Sequence, residues 1–214
     1  GGAVSNYFSA LAEANVALSV GLSAVSSLAA FAMTPFTISF WGHRLPATQA
    51  LLRTVDVNFW QMFALVLLVL IMPTVLGILF ARHRPVLADR IRRPFRLLSG
   101  SVFVLFIAGA FLANTSLFLT FFDRIAALVV VHNAVALLVG FVLAKLAHVG
   151  LPERKTITIE TGIQNTALGL VLVFSFFEGL GGMALIAGFW GIWHLIAGGL
   201  LAIFFNQRGS YKTA

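Results

Sequence analysis

Cysteine is absent from the 214-residue chain, and acidic residues are scarce, with only 7 Asp and Glu in total. The missing thiols exclude disulfides and any chemistry that needs a cysteine nucleophile or metal ligand. Charged residues make up 10% of the sequence, whereas hydrophobic residues make up 60%. A typical soluble domain carries about 25% charged residues. The composition therefore predicts an integral membrane protein.

The long apolar runs also lack the strict alternation of apolar and polar residues that marks transmembrane strands. We expect helices, because a helix satisfies its own backbone hydrogen bonds in lipid. The fold class is thus an all-α polytopic membrane protein. The predicted elements are a half-helix at 1–12 and spans at 15–41, 59–80, 97–122, 125–149, 156–177 and 183–206. The chain begins at Gly1 rather than Met, and we expect that a front part of the protein precedes it.

The net charge of +7 comes largely from one stretch, 82–96, which contains six Arg and a single Asp. Basic residues flanking membrane spans mark the cytoplasmic side, so this charge predicts topology rather than nucleic-acid binding. We expect the stretch to be a cytoplasmic loop, with the C-terminal tail at 207–214 on the same side of the cell's inner (plasma) membrane. Thr156 opens the fifth span, so 151–155 is predicted to be a second inner loop.

The most informative stretch is Thr156–Leu170, where polar residues interrupt an apolar run long enough to span a bilayer. Glu160 is a carboxylate at membrane depth, which is costly unless it is paired or faces a polar cavity. Gly162 is a weak helix former, and with Gln164 and Asn165 it favours a local break in the helix. Broken membrane helices free backbone groups that transporters use to bind ions and substrates. We interpret Glu160 as the charge of an ion site; the alternative is a buried neutral acid or a Glu reaching out from a helix end.

Two other polar groups lie within predicted spans. Ser19, Ser23 and the pair Ser26 and Ser27 recur at helical spacing, which places hydroxyls on one face. Such a stripe is typical of close helix packing. His132 and Asn133 form a pair that favours a helix–helix hydrogen bond over a ligand set. The sequence has no phosphate-binding G-x-x-x-x-G-K-[ST] loop, no His/Cys cluster for a transition metal, and no recognisable nucleophile–base pair.

Four strings together carry a family resemblance: GGAVSN at 1–6, ALSVGLSAVSSL at 17–28, ETGIQN at 160–165, and a His in the last span. The combination resembles the bile acid:sodium symporter family. That resemblance implies an inverted-repeat transporter fold with core and panel domains and two crossing discontinuous helices. The chain would run from the second half of the family's fourth helix through its tenth. Residues 1–41 and 124–206 would then belong to the core domain and 59–122 to the panel.

The resemblance also implies two Na+ sites and a substrate cavity. The first Na+ would be held by Ser5, Asn6, Ser19, Ser23 and Glu160. The second would be held by Glu160 and Gln164 together with the Thr161 and Ile163 carbonyls, completed by a Gln from a helix outside this chain. Asn165 and His194 would line the substrate cavity, where Ala3 replaces the Thr that relatives often carry. Oxygen ligands of this kind suit a hard cation such as Na+.

The predicted function is sodium-coupled symport of a small organic anion, such as a bile acid, a keto acid or a pantoate-like carboxylate. Movement of the core against the panel would give alternating access. A proton-coupled transporter remains open, because Glu160 could carry a proton instead. Less favoured alternatives are an intramembrane enzyme, using Glu160 or His132 with Asn133, and a channel or structural subunit. We expect a monomer in the lipid bilayer, with no nucleic-acid partner and no enzymatic activity.

Overall fold

The computed structural model describes residues 3–44, 46, 48, 49 and 58–210, and the description below refers to these residues. Regular structure in this part of the chain is helical. The helices are α1 (Ala3–Leu11), α2 (Val16–Arg44), α3 (Phe59–His83), α4 (Pro85–Ala113), α5 (Thr115–Leu146), α6 (Leu151–Gly162), α7 (Thr166–Phe176) and α8 (Gly181–Ser210). Gly1 and Gly2 of the GGAVSN string, and the tail from 211 onward, lie outside the described residues.

Five helical segments of the described chain are long and apolar enough to cross a membrane. They are α2, α3, α5, α8, and α6 together with α7. The chain is therefore an all-α, multi-pass membrane protein, as predicted. Within α3, a five-residue π-helical turn at Leu67–Ile71 lies just before Pro73. Proline lacks an N–H and crowds the preceding turn, and a widened turn relieves both problems.

One predicted helix boundary is wrong. The sequence suggested a turn at Asp123 and Arg124, but α5 continues through both residues, and the chain instead leaves helical geometry at Asn114 (φ −128°, ψ 28°). Asn readily adopts non-helical backbone angles, because its side chain competes for backbone hydrogen bonds. Asp123 and Arg124 are exposed on the helix surface, so nothing forces a turn there. The predicted domain boundary at 122–124 accordingly falls inside α5.

Two predicted loops are also largely helical. The Arg-rich stretch contains one non-helical residue, Arg84, between the end of α3 and Pro85, which begins α4. Proline at a first helical position is favourable, since its missing N–H would have no partner there anyway. The second predicted loop, 151–155, forms the first turns of α6, so Lys155 lies in a helix and is buried.

The centre of the fold is a region that we call the helix crossing, where α1, α6 and α8 pack together through Phe8, Ala12, Ile159, Ile163 and Ala202. The close approach depends on Gly198 of α8. A Cβ at that position would lie 2.7 Å from Ile163 Cδ1 and 2.9 Å from the Phe8 ring. Small residues let membrane helices approach closely and gain van der Waals contact.

Candidate cation-binding site

The predicted break lies between α6 and α7, at residues 163–165. Ile163 is extended (φ −90°, ψ 110°), and Asn165 caps α7 by accepting a 3.1 Å hydrogen bond from the Leu168 N–H. The break leaves carbonyls at the end of α6 without helical partners. Asn133 of α5 donates to one of them, the Gly162 carbonyl, at 2.8 Å. This is a helix–helix hydrogen bond of the kind expected for the His132–Asn133 pair.

Five oxygen-bearing side chains from three helices meet beside this break. Ser19 Oγ of α2 lies 2.8 Å from Asn6 Oδ1 of α1 and 2.5 Å from Glu160 Oε1 of α6. Ser23 Oγ lies 3.1 Å from each Glu160 carboxyl oxygen and 3.4 Å from Ser5 Oγ. These are the five residues assigned to the first Na+ site. We call them the oxygen cluster.

The Ser19 hydroxyl faces two acceptor oxygens of the cluster. In the orientation that the structure gives to the Asn6 amide, these are Asn6 Oδ1 and Glu160 Oε1. A hydroxyl carries a single donor, so it serves one of them at a time. A cation bound among these oxygens would interact favourably with both. Carboxylate, amide and hydroxyl oxygens are the donors a hard cation prefers, and the described residues contain no group of three His, Cys, Asp or Glu that could hold a metal.

The position of α1 in this cluster is fixed from its far end. Its last carbonyls cannot be satisfied within the helix. Lys155 Nζ of α6, only 5% exposed, donates to the Ala12 carbonyl at 2.9 Å, and Asn206 Nδ2 of α8 donates to the Leu11 carbonyl at 2.8 Å. A cation at a helix C-terminus also interacts favourably with the helix dipole. Lys155 therefore ties α1 to the same helix that carries Glu160.

The turn between α1 and α2 is tied to the start of α6 as well. Glu13 adopts a left-handed conformation (φ 50°), which reverses the chain before Val16. Asn15 caps α2 by accepting from the Leu18 N–H at 3.0 Å, and its Nδ2 donates to Glu153 Oε1 at 3.0 Å. Thr156 Oγ1 donates to the Asn15 carbonyl at 3.0 Å. The turn and α6 are thus held in a fixed register.

The residues assigned to the second Na+ site line one cavity. Glu160, Thr161, Ile163 and Gln164 all border a space of about 700 Å³. Gln164 Nε2 approaches the Thr161 carbonyl at 3.4 Å, whereas the Thr161 hydroxyl donates to the Ile157 carbonyl within its own helix at 2.7 Å. Because the hydroxyl is engaged along the helix, Thr161 can offer a ligand through its carbonyl.

The lining of this cavity mixes polar and apolar side chains. The polar ones include Ser26, Ser27, Thr34, Glu160, Gln164 and Asn165, and the apolar ones include Leu168, Leu172, Val173, Phe177, Ile186 and Trp190. The volume falls in the usual range for small-molecule sites, about 300–1,000 Å³. The described residues that line it include no Lys, Arg or His. A solute carboxylate would thus have to meet amide and hydroxyl donors.

The three residues predicted to contact substrate have different positions. Asn165 lines the cavity, but His194 is not among its lining residues. His194 is buried, at 4% exposure, and its Nδ1 has no hydrogen-bond partner among the described residues. The cavity therefore lends no support to a substrate role for His194, which stays a prediction. Ala3 is the first residue of α1, and its side chain is not part of the described structure.

Sequence reasoning missed the residues that position the site. Lys155 was placed in a loop, and Asn206 was treated only as the end of a span. Composition gave no signal for Lys155, because the stretch KTITIE that links it to Glu160 is rich in β-branched residues, which disfavour a helix. The Glu13–Asn15 turn was predicted, but its bonds to α6 join residues about 140 positions apart, which no local pattern indicates.

Comparisons with known proteins show which family the chain resembles. A model of the sodium bile acid symporter family matches residues 1–121. The chain is 28% identical over 215 residues to an uncharacterised sodium-dependent transporter of Bacillus subtilis, covering 100% of this chain and 63% of that protein. It is 28% identical over 177 residues to a probable sodium/metabolite cotransporter of rice chloroplasts, covering 83% of this chain and 41% of the relative.

A third relative is the sodium-dependent organic anion transporter of Bos taurus, 24% identical over 207 residues, which cover 88% of this chain and 53% of that protein. The chain thus spans between 41% and 63% of the length of these three relatives. Because the family model covers more than half of its residues, the chain belongs to the sodium bile acid symporter family, whose members are transporters and not enzymes.

Proposed function

We propose that this member of the sodium bile acid symporter family carries a small organic anion across the membrane together with Na+. The observation that carries the proposal is the oxygen cluster, in which Asn6, Ser19 and Glu160 come from three helices and meet within hydrogen-bonding distance. A carboxylate at membrane depth is stabilised when a cation binds beside it. Binding of the ion would draw α1, α2 and α6 together.

We propose for the two coupling ions the same ligands that the family resemblance implies. The first Na+ would bind among Ser5, Asn6, Ser19, Ser23 and Glu160. The second would bind near Glu160, Gln164 and the Thr161 and Ile163 carbonyls. The solute would occupy the adjacent cavity, where Asn165 would contact its polar group and the apolar lining residues of α7 and α8 would contact its carbon skeleton. The relative from cattle is described as an organic anion transporter, which supports an anionic solute.

We further propose that α1, α2, α5, α6, α7 and α8 form the core, and that α3 and α4 form the panel that moves against it. The ETGIQN break between α6 and α7 and the GGAVSN string at 1–6 would be the counterparts in an inverted repeat. The protein would lie in the cell's inner membrane as a monomer, with the Arg-rich end of α4 and the C-terminus in the cytoplasm, because basic residues mark that side.

Uptake by the protein reconstituted in liposomes tests the coupling. Radiolabelled taurocholate and pyruvate serve as probes of a steroid and a keto acid. An inward Na+ gradient should drive accumulation of one of them, and replacing Na+ by K+ at equal ionic strength should remove it. A proton gradient imposed without Na+ distinguishes the proton-coupled alternative. Accumulation that follows the proton gradient and ignores Na+ would contradict the proposal.

A further inference from the structure

The first turns of α4 have an unusual distribution of side chains. Charged residues occupy one arc of the helix together with Val86, and the opposite arc is apolar. At 3.6 residues per turn, Asp89, Arg92, Arg93 and Arg96 fall on one side with Arg90 at its edge, whereas Leu87, Ile91 and Phe95, spaced four apart, fall on the other. Sidedness rules require only that basic residues be present near a span, so they do not explain this separation.

Both faces are open in the described structure. Arg82, Arg84, Arg90, Arg92 and Arg93 are all exposed. Arg92 pairs with Asp89 at 3.0 Å, with both side chains more than 70% exposed, and the other four have no carboxylate partner among the described residues. On the apolar face, Leu87 is 44% exposed and Phe95 is 62% exposed.

The length of α4 places these residues at a membrane surface. A helix of 29 residues is about 43 Å long, whereas the hydrocarbon core is about 30 Å thick. α4 is not among the five segments counted above, but the sequence predicts a span beginning at Leu97, and residues 97–113 are mostly apolar. With these residues in the core, the first turns extend into the headgroup layer. The end of α3 at His83 lies one residue away from Pro85, which brings Arg82 and Arg84 to the same surface.

We propose that residues 82–96 form a binding surface for anionic phospholipids. The guanidinium groups contact phosphate headgroups while Leu87, Ile91 and Phe95 contact the upper part of the acyl chains. Arg binds phosphate through paired N–H donors, and clusters of four to eight basic residues beside a span are typical of anionic-lipid recognition. Charge complementarity and the amphipathic division both fit a lipid surface, whereas a soluble phosphate would leave the apolar face uncovered.

Native mass spectrometry of the whole chain tests this directly. The protein in detergent is mixed with equal amounts of phosphatidylglycerol and phosphatidylcholine, and the lipids retained are counted. We expect several-fold preferential retention of phosphatidylglycerol, reduced at high salt. The triple variant Arg90→Gln, Arg92→Gln, Arg93→Gln should retain both lipids equally. Arg44→Gln with Arg124→Gln, which alters exposed Arg elsewhere, should keep the preference.

Thermal unfolding confirms that each variant is folded before lipids are counted. Phe95→Ser should reduce retention of both lipids, because it alters the apolar face alone. A preference for phosphatidylglycerol that survives the triple substitution would overturn the proposal. So would displacement of the lipid by millimolar inorganic phosphate, because that would assign the surface to free phosphate. The result does not depend on Na+ coupling, so either proposal can fail without the other.

Discussion

Helices α6 and α4 distribute their polar residues in opposite ways. In α6, Lys155, Thr156 and Thr158 are buried, and each forms a hydrogen bond to a carbonyl. In α4, Arg90, Arg92 and Arg93 are exposed and lie beyond the apolar half of the helix. Buried polar groups are costly unless paired. Lys155 and Thr156 donate to carbonyls of Ala12 and Asn15 between α1 and α2, and Thr158 donates to Arg154 within α6. The difference indicates that α6 is built around the oxygen cluster, and that α4 is built to face the membrane.

Replacement of the α6 carboxylate should have the largest effect. Glu160→Gln keeps the shape but removes the charge, and a buried cation without its counter-charge costs several kcal/mol. Each 1.4 kcal/mol corresponds to about a tenfold change in affinity, so the sodium concentration for half-maximal uptake should rise by more than about 100-fold. Proteoliposome uptake at increasing Na+ measures this. The matched control is Glu178→Gln, in the exposed turn before α8, which should leave it unchanged.

Replacement of Lys155, the buried lysine of α6, should have the second-largest effect. Lys155→Met keeps most of the side-chain volume but leaves the Ala12 carbonyl without its donor, which costs about 1–3 kcal/mol. The expected result is a lower unfolding temperature together with weaker Na+ dependence, since α1 is no longer held against α6. Lys145→Met, at the exposed end of α5, is the control. An unchanged unfolding temperature for Lys155→Met would show that this bond does not stabilise the crossing.

The two serines of the oxygen cluster should differ in importance. Ser19 bridges Asn6 and Glu160 with contacts of 2.8 and 2.5 Å, whereas Ser23 makes longer contacts of 3.1 Å to Glu160. Loss of a hydrogen bond to a charged group costs about 1.5–3 kcal/mol, so Ser19→Ala should raise half-saturating Na+ by about tenfold or more. Ser23→Ala should raise it less. Thr37→Ala, whose hydroxyl bonds only within α2, should have no effect, and a reversed order would contradict the geometry.

Substitutions of apolar packing residues should have the smallest effect on stability. Ile159 of the helix crossing is fully buried, so Ile159→Val should destabilise the protein by about 0.5–1.5 kcal/mol. Val104 of α4 is 62% exposed, and Val104→Ala should change stability by less than about 0.5 kcal/mol. Thermal unfolding in one detergent compares the two. Equal losses would mean that α4 packs as tightly as α6.

The break between α6 and α7 could be predicted from sequence. Gly162 is a weak helix former, and Gln164 and Asn165 are polar residues inside an apolar run, so together they favour a break in the helix. The break indeed lies at 163–165. The predicted α4–α5 boundary at Asp123 and Arg124 is wrong, because the chain leaves helical geometry at Asn114. In physical terms, exposed charges near a helix surface cost little, whereas an Asn with competing side-chain bonds can end a helix.

The oxygen cluster was predictable only through family resemblance. Helical spacing places Ser19 and Ser23 on one face, but such spacing by itself favours close helix packing. Nothing local links Asn6 to Glu160, which are far apart in the chain. The Lys155 bond to Ala12 was not predictable, because a buried Lys is rare and its partner is a backbone carbonyl with no sequence signature.

Direct binding of Na+ tests the central claim that the oxygen cluster is a cation site. The unfolding temperature of the protein is measured in NaCl and in KCl at the same ionic strength, for the wild-type chain and for Glu160→Gln. A ligand that binds only the folded state stabilises it in proportion to the logarithm of its concentration. We predict stabilisation by NaCl over KCl that grows with concentration and disappears in Glu160→Gln. Equal responses to both salts, or an Na+ response that persists in Glu160→Gln, would contradict the account.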